Sequence, residues 1–292
     1  MQRLLIIGCG DVVRRALPIL VRRWRVYALV RERDAGLAAL GVTQIPGDLD
    51  CPATLGRLAG LAHVVLHAAP PADATGGDPR TRRLLAALRR GRLPRRFVYI
   101  STSGVYGDCR GERITETRAP RPATARAQRR VAAERLLRRF GADSRCRVSI
   151  LRSPGIYATD RLPLERLKKG LPVLRAEEDV FTNHTHADDL ARACIAALRR
   201  GGANRAYNIC DDSELAMGDW FDRLADAFNL PRPPRVSRLD AARRLLPVQL
   251  SFMSESRRLD NGRMKRELKL RLRYSTVEAG IARALEENQC SG

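Results

Sequence analysis

The tightest constraint on this chain lies in its first twenty residues. Leu4–Ile7 is an unbroken apolar run, as a strand buried on both faces requires. It stops at Gly8-Cys9-Gly10, after which Val12, Val13, Ala16, Leu17 and Leu20 recur at helical spacing. A strand, a glycine turn and a helix start together present free amide donors and the positive end of a helix dipole. The two glycines allow a tight turn and close approach of backbone to a diphosphate. The candidate diphosphate segment is therefore Gly8, Cys9, Gly10, Asp11, Val12 and Val13. In a full G-x-G-x-x-G pattern the third glycine would fall at Val13, and valine there is expected to push the helix slightly off the strand. Pro18 is expected to kink or shorten that helix.

The same alternation continues through the first half. Strands are expected at Val26–Val30, Val42–Ile45, Val64–Leu66, Phe97–Ile100 and Val148–Leu151. Helices are expected at Pro52–Leu58, Thr81–Arg90 and about Ala123 to Phe140, with a polar turn at Asp73–Asp78. Units of this kind predict a parallel sheet covered by helices on both faces, a doubly wound Rossmann-type α/β fold. Ligands on such sheets bind beyond the carboxyl ends of the strands. Past Gly155 short helical stretches (Pro163–Lys169, Ala187–Arg200, Met217–Phe228) surround one further strand, Ala206–Ile209, and Pro231–Pro234 sets off the last segment. The expected division is a nucleotide-binding unit over 1–155, with 205–210 added to its sheet, and a smaller substrate-binding region over 156–292.

The strand ends narrow the cofactor. An acid after the second strand would bind the ribose 2′-OH of NAD, whereas an arginine accommodates the 2′-phosphate of NADP. Here Arg31 comes first, with Arg33 nearby and Glu32 between them. NADP(H) is favoured and NAD(H) stays open. Asp48 follows the third strand, where it suits either an adenine amino group or a local turn, with Leu49 beside it. Ala68, Ala69 and Pro70 follow the fourth strand, and Ser101 and Pro154 the fifth and sixth. All are candidate cofactor contacts.

Charge suggests a different partner. The chain carries 54 Lys and Arg against 32 Asp and Glu, a net +22. That balance fits phosphate neutralisation. Yet the arginines are spread along the expected helices, and no aromatic residues are interleaved for base stacking. Specific nucleic-acid binding is not expected; nonspecific adhesion to polyanions at low salt is. No apolar run approaches the roughly 18 residues that span a bilayer, and Met1–Ile7 lacks the length and cleavage site of a signal peptide. A cytoplasmic protein is expected. The cysteines (Cys9, Cys51, Cys109, Cys146, Cys194, Cys210, Cys290) are scattered without a CxxC pair, so reduced thiols fit better than metal ligands or disulfides.

Several stretches then converge. Phe97–Gly107 reads FVYISTSGVYG, Val148–Tyr157 reads VSILRSPGIY, and His186–Leu190 reads HADDL. Together with Ala206–Ile209 and the tail over Arg258–Leu268 and Tyr274–Gly280, they resemble an extended, atypical short-chain dehydrogenase/reductase of the NAD(P)-dependent epimerase/dehydratase superfamily. The resemblance covers nearly the whole chain. It implies that Thr102, four residues before Tyr106, hydrogen-bonds a substrate oxygen, flanked by Ser101 and Ser103. It also implies a general acid/base Tyr with a Lys four residues later. Alignment on Ala132-Ala133-Glu134 puts Arg126 and Arg130 at those two positions.

Arginine stays protonated at ordinary pH, so Arg126 cannot shuttle a proton, although Arg130 can donate to a ribose hydroxyl. Candidate substitutes for the proton donor are Tyr106 and Tyr157, on segments that border the substrate by the same resemblance, and three histidines, which titrate near neutral pH: His184 and His186 in Asn183-His184-Thr185-His186, and His67 at the end of the fourth strand. Two functions follow: an NAD(P)-dependent oxidoreductase or epimerase/dehydratase-like enzyme on a small polar substrate, with Arg126 clamping an anionic group, or a non-catalytic NADP(H)-binding redox sensor. Either a monomer or a homodimer is compatible with the sequence.

Overall fold

A computed structural model of the chain describes residues 1–73 and 77–289, with backbone alone for 288 and 289. Residues 74–76 of the expected Asp73–Asp78 turn, and Cys290, lie outside the described residues.

The central sheet has seven strands: β1 Arg3–Ile7, β2 Arg25–Val30, β3 Thr43–Pro46, β4 Val64–His67, β5 Arg96–Thr102, β6 Arg147–Ser153 and β7 Arg205–Asn208. Their spatial order is β7-β6-β5-β4-β1-β2-β3, and every pairing is parallel. The order reverses between β1 and β4, which opens a crevice at their carboxyl ends. Most strands outgrow their apolar runs because flanking polar residues continue the ladder, as where Arg96 pairs with Arg147 and Thr102 with Ser153; β3 and β7 keep the expected length but are shifted by one residue. The segment at 205–208 lies at one edge, beside β6, in the register Ala206 opposite Ile150.

Helices cover both faces. On one, α1 (Asp11–Leu20) and α4 (Ala187–Arg200) bury Leu17, Leu20, Leu190 and Leu198 against Leu4, Ile6, Val26 and Val98. On the other, α2 (Pro79–Leu88) and α3 (Ala125–Ser144) bury Leu84, Leu88, Leu137 and Phe140 against Leu5, Val65, Phe97 and Val148. The alternation of β residues between the two clusters is the period-two geometry of a strand covered twice. Pro18 lies inside α1, which ends two residues later, so the effect is shortening. Val13 is buried against the sheet in the first cluster. The expected Pro52–Leu58 helix is a 3-10 segment.

Beyond Gly155 the chain is richer in short ladders than its sequence pattern predicts. Gly155–Tyr157 pairs with His184–His186, Val173–Leu174 with Arg235–Val236, and Phe181–Thr182 with Leu215–Ala216. Arg258–Leu259 returns to pair with Arg113–Ile114. A separate apolar cluster forms here from Tyr157, Leu167, Val173, Trp220, Phe221, Val277 and Ile281. It joins α5 (Met217–Ala227) to α6 (Val277–Gln289).

Candidate active site

Two cavities open at the carboxyl edge of the sheet. The first, about 520 Å³, is bounded by the β1–α1 turn, the ends of β2 and β3, and the loop after β4. Gly8, Cys9, Gly10, Arg31, Glu32, Asp48, Leu49, Ala68, Ala69 and Pro70 line it. Both amides of Ala68 and Ala69 donate to the Ile7 carbonyl (2.8 and 2.9 Å), so the loop after β4 is tied to the end of β1 at the switch point. Gly8 has φ +92°, and a Cβ there would stand 2.6 Å from the Ala69 nitrogen. Only glycine fits that approach. A Cβ on Gly10 would meet nothing within 4 Å. Gly10 caps α1 with no side-chain hydrogen bond, which leaves the first amides of the helix without a local side-chain acceptor. An empty space in front of uncapped amides, reached by a side-chain-free backbone, fits the diphosphate of a dinucleotide.

The rim of this cleft holds residues that sequence reasoning missed. Arg14, one turn into α1, pairs with Asp34 and donates from Nε to the Cys9 carbonyl (3.1 Å). Asp34 caps the short helix Ala35–Ala39 through Leu37 N (3.0 Å), and the Arg14 hydrogen bond holds its carboxyl below the usual carboxylate range. Arg80, from α2, forks onto Asp50 and also donates to the Pro70 carbonyl (3.2 Å). Arg14 stands at helical spacing from Gly10 and was findable; Arg80 arrives by tertiary contact alone. Burial pushes the Cys9 thiol up to about 11, so it is a neutral wall.

Several expected cofactor residues are turned elsewhere. Val13 faces the core and Val12 packs against it. Asp11 pairs with Arg15 (2.9 Å) and Arg161 (3.0 Å). Arg33 is exposed and does not line the cleft. Ser101 is buried, its hydroxyl donating to Glu134 Oε1 (2.6 Å). Pro154 borders the second cavity. Asp48 lines the cleft, and its Oδ1 accepts from Asp50 N (2.9 Å), the local turn considered for it.

The second cavity, about 500 Å³, lies past the ends of β5 and β6. Thr102, Ser103, Arg126, Tyr157 and His184 all line it. Thr102 Oγ1 accepts from Gly104 N (3.2 Å), which turns the chain sharply out of β5. Arg126 sits in the first turn of α3, which Thr124 caps through Ala127 N (3.2 Å); its guanidinium lies 4.9 Å from the Phe252 ring centre. Three more arginines, Arg161, Arg166 and Arg257, share the lining, with Glu255 the carboxylate among them. Trp220 forms an aromatic wall, its ring 4.4 Å from that of His184. Burial pulls His184 down to about 3, so its imidazole is neutral. Of the four arginines, Arg161 pairs with Asp11 and Arg257 with Glu255, which leaves Arg126 and Arg166 without an acidic partner among the described residues.

The other expected catalytic groups are engaged in the protein. Tyr106 is buried and donates to Asn208 Oδ1 (2.6 Å), under the Arg152 guanidinium; burial pushes its phenol up to about 12. Tyr157 presents its ring to the cavity while its hydroxyl contacts the Thr276 carbonyl (3.4 Å). His186 caps α4, accepting from Asp188 N (3.2 Å), and does not line the cavity. Arg130 turns inward and donates to Tyr99 OH (2.9 Å) and the Ile100 carbonyl (2.8 Å). His67 pairs with Thr81 Oγ1 (3.0 Å) beneath α2. In HADDL, Asp189 holds the tail, accepting from Arg273 N and Tyr274 N (both 2.8 Å at closest).

A seven-stranded parallel sheet with helices on both faces, a glycine turn at its switch point and a second cavity beside it define a Rossmann-like α/β protein. Residues 52–210, more than half of the chain, match the model of the NAD dependent epimerase/dehydratase family. The chain belongs to that family. A GDP-6-deoxy-D-mannose reductase of Pseudomonas aeruginosa is 30% identical over 161 residues, 50% of this chain and 53% of that protein. The chain thus spans about half the length of the curated relatives it matches. Among solved structures, a conserved protein of unknown function from Silicibacter pomeroyi superposes with a TM-score of 0.80 at 28% identity, covering 98% of this chain and 99% of that one. UDP-glucose 4-epimerase from Thermotoga maritima, solved with UDP-glucose, gives 0.80 at 17% identity over 99% of both chains, a likeness of fold.

Proposed function

We propose that this chain is an oxidoreductase or epimerase-like enzyme that acts on a hydroxyl or carbonyl of an anionic sugar nucleotide, with NADP(H) preferred over NAD(H). The observation that carries the reading is that Thr102 and Arg126 border one cavity with three further arginines, next to the glycine-turn cleft. Residues 1–155, with 205–210, would hold the cofactor, and 156–292 would close over the substrate. Gly8, Gly10 and the first amides of α1 would hold the diphosphate, and Arg31 the 2′-phosphate. The bound nicotinamide would supply the hydride acceptor or donor.

The chain's own part is orientation and charge. Thr102 Oγ1 hydrogen-bonds the reacting oxygen, with Ser103 beside it. Arg126, Arg161, Arg166 and Arg257 receive the anionic portion, as forked guanidinium groups suit phosphate oxygens. Trp220 and Tyr157 offer flat apolar faces to a ring and exclude water. The relatives that act on nucleotide-linked sugars support this substrate class.

The test is incubation with UDP-, dTDP- and GDP-linked sugars, followed at 340 nm for net oxidation or reduction and by chromatography of the sugar products for epimerisation, which returns the hydride and leaves that absorbance unchanged. Thr102→Ala is expected to lower turnover by roughly 10²-fold while cofactor affinity stays within about twofold. Unchanged turnover would remove Thr102 from the site. A second reading, a redox sensor without turnover, draws on the committed phenols of Tyr106 and Tyr157 and on arginine at position 126. It predicts bound cofactor, no turnover with any of these sugars, and a partner whose affinity follows cofactor occupancy.

A further inference from the structure

The four arginines around the second cavity are held in two different ways. Arg161 pairs with Asp11 (3.0 Å) and Arg257 with Glu255 (2.7 Å). Arg126 and Arg166 lie instead over phenylalanine rings, each guanidinium carbon 4.9 Å from the ring centre, Phe252 for Arg126 and Phe221 for Arg166. Both arginines and both phenylalanines line the cavity. We propose that Phe252 is a positioning residue of this site, whose ring seats Arg126 so that the guanidinium keeps its charge for an anionic group of the substrate, an inference that rests on the sugar-nucleotide reading above.

A carboxylate and an aromatic ring both attract a guanidinium, but they leave it in different states. The carboxylate occupies N–H donors and cancels the charge. A ring beneath the group attracts it without cancelling its charge and leaves its donors for an oxyanion. Arg126 is in the second state: its side chain is exposed and makes no hydrogen bond or ion pair among the described residues. It stands in the first turn of α3, which holds no acid. The positive end of the helix dipole lies there, so a cation at that place is disfavoured until an anion joins it. Arg166 is the more enclosed counterpart. Burial lowers its pKa with no carboxylate to offset the effect. Its Nη2 donates to the Pro172 carbonyl (2.7 Å), and its Nε is buried without a partner among the described residues.

The placement of Phe252 is not explained by packing. It ends the short helix Pro247–Phe252 and is 51% exposed. Its neighbour Met253 does the packing, 1% exposed in an apolar cluster with Leu174, Ala241 and Leu245. The Met253 carbonyl accepts from Arg238 Nη1 (2.8 Å), and Leu250 packs against the same cluster. The backbone that carries Phe252 is thus anchored on either side of it, while the ring stays out of that core and borders the cavity with Arg126.

The experiment titrates UDP by calorimetry into wild type, Phe252→Leu, Phe252→Tyr, Arg126→Gln and the Phe252→Leu/Arg126→Gln double variant. Each is shown by circular dichroism to be folded and is saturated with the nicotinamide cofactor, so that the glycine-turn cleft is occupied. Phe252→Leu is expected to weaken UDP roughly three- to thirtyfold, the range from an exposed to a desolvated cation–ring contact. Phe252→Tyr keeps the ring and should stay within about twofold of wild type. In the Arg126→Gln background the leucine substitution should cost less than about twofold, because its effect runs through Arg126. UDP affinity of Phe252→Leu equal to that of wild type would overturn the proposal. So would an equal loss with and without Arg126, which marks a ring that acts on the ligand or the fold by itself. Inorganic diphosphate, titrated in the same way, separates the seat from the substrate. If it binds with this pattern of losses and UDP does not bind, the sugar-nucleotide reading falls and the seating of Arg126 stands. If folded wild type binds neither, both fall.

Discussion

His67 and His184 are enclosed so completely that burial pulls both down to about 3. Both are neutral in the folded protein, but in the unfolded chain they titrate near 6.5. As pH falls below that value the unfolded chain takes up two protons that the folded one refuses, and stability falls by about 1.4 kcal/mol per pH unit for each. Asp211 works in the opposite direction. Burial, more than any charge, raises it from 3.8 to about 8. Its Oδ1 accepts from Ser213 N (3.0 Å), and its Oδ2 is buried without a hydrogen-bond partner among the described residues. The folded protein holds that proton after the unfolded chain has lost it, so the contribution is full below pH 3.8 and disappears as pH rises to about 8. Burial raises Glu116 and Asp179 too. Between about pH 4 and 6.5 the two histidines outweigh Asp211; above 6.5 Asp211 acts without them. Stability to urea is therefore expected to peak near pH 6.5, and Asp211→Asn should remove most of the decline between 6.5 and 8. A profile that climbs steadily through pH 8 in the wild type would contradict these burials.

At the scale of elements, the strands were legible because a parallel strand covered on both faces must be a continuous apolar run. Leu4–Ile7, Val64–Leu66 and Val148–Leu151 each sit inside an observed strand. Helix α4 matches its expected limits because an apolar stripe on Leu190, Cys194 and Leu198 and acids in its first turn both mark it. The glycine turn was legible for the same reason: its chemistry is local. The second cavity was not. Glu255, Arg257, Arg161 and Asn183 come from segments without periodicity, and they meet Gly107 and Thr102 through contacts across as many as 150 residues. Within FVYISTSGVYG, Thr102 and Ser103 reach the cavity while Ser101 and Tyr106 turn to Glu134 and Asn208. Alternation across a strand explains Ser101; the tight turn at Ser103–Gly107 explains Tyr106. The end of β2 carries its own prediction. Arg31 and Glu32 both line the cleft and Arg33 does not. Arg31→Ala is expected to weaken NADP⁺ by roughly tenfold, the loss of one charge-assisted contact, and to leave NAD⁺ within about twofold. Equal NADP⁺ affinity in the two proteins would take Arg31 out of that role.

Across the whole molecule, the +22 charge looks less like a nucleic-acid footprint once the arginines are placed. Many are occupied internally. Arg152 is buried with Glu134 (2.7 Å), Arg15 meets three aspartates, and Arg80 and Arg83 share Asp50. Burial works against the Arg152 charge, and the Glu134 carboxylate reverses the balance and holds its pKa above the ordinary value. Among the described residues no helix is long and apolar enough to cross a membrane. Four arginines, Arg126, Arg161, Arg166 and Arg257, also border the second cavity. Everything proposed for that cavity presumes a dinucleotide in the neighbouring cleft. The direct measurement is calorimetric titration of the purified, folded protein with NADP⁺ and NAD⁺ at about 0.15 M salt, where exposed charges are screened beyond about 8 Å. Saturable binding at one site per chain, by at least one of the two, is the predicted result. A cooperatively folded protein that shows no saturable binding of either would contradict the account.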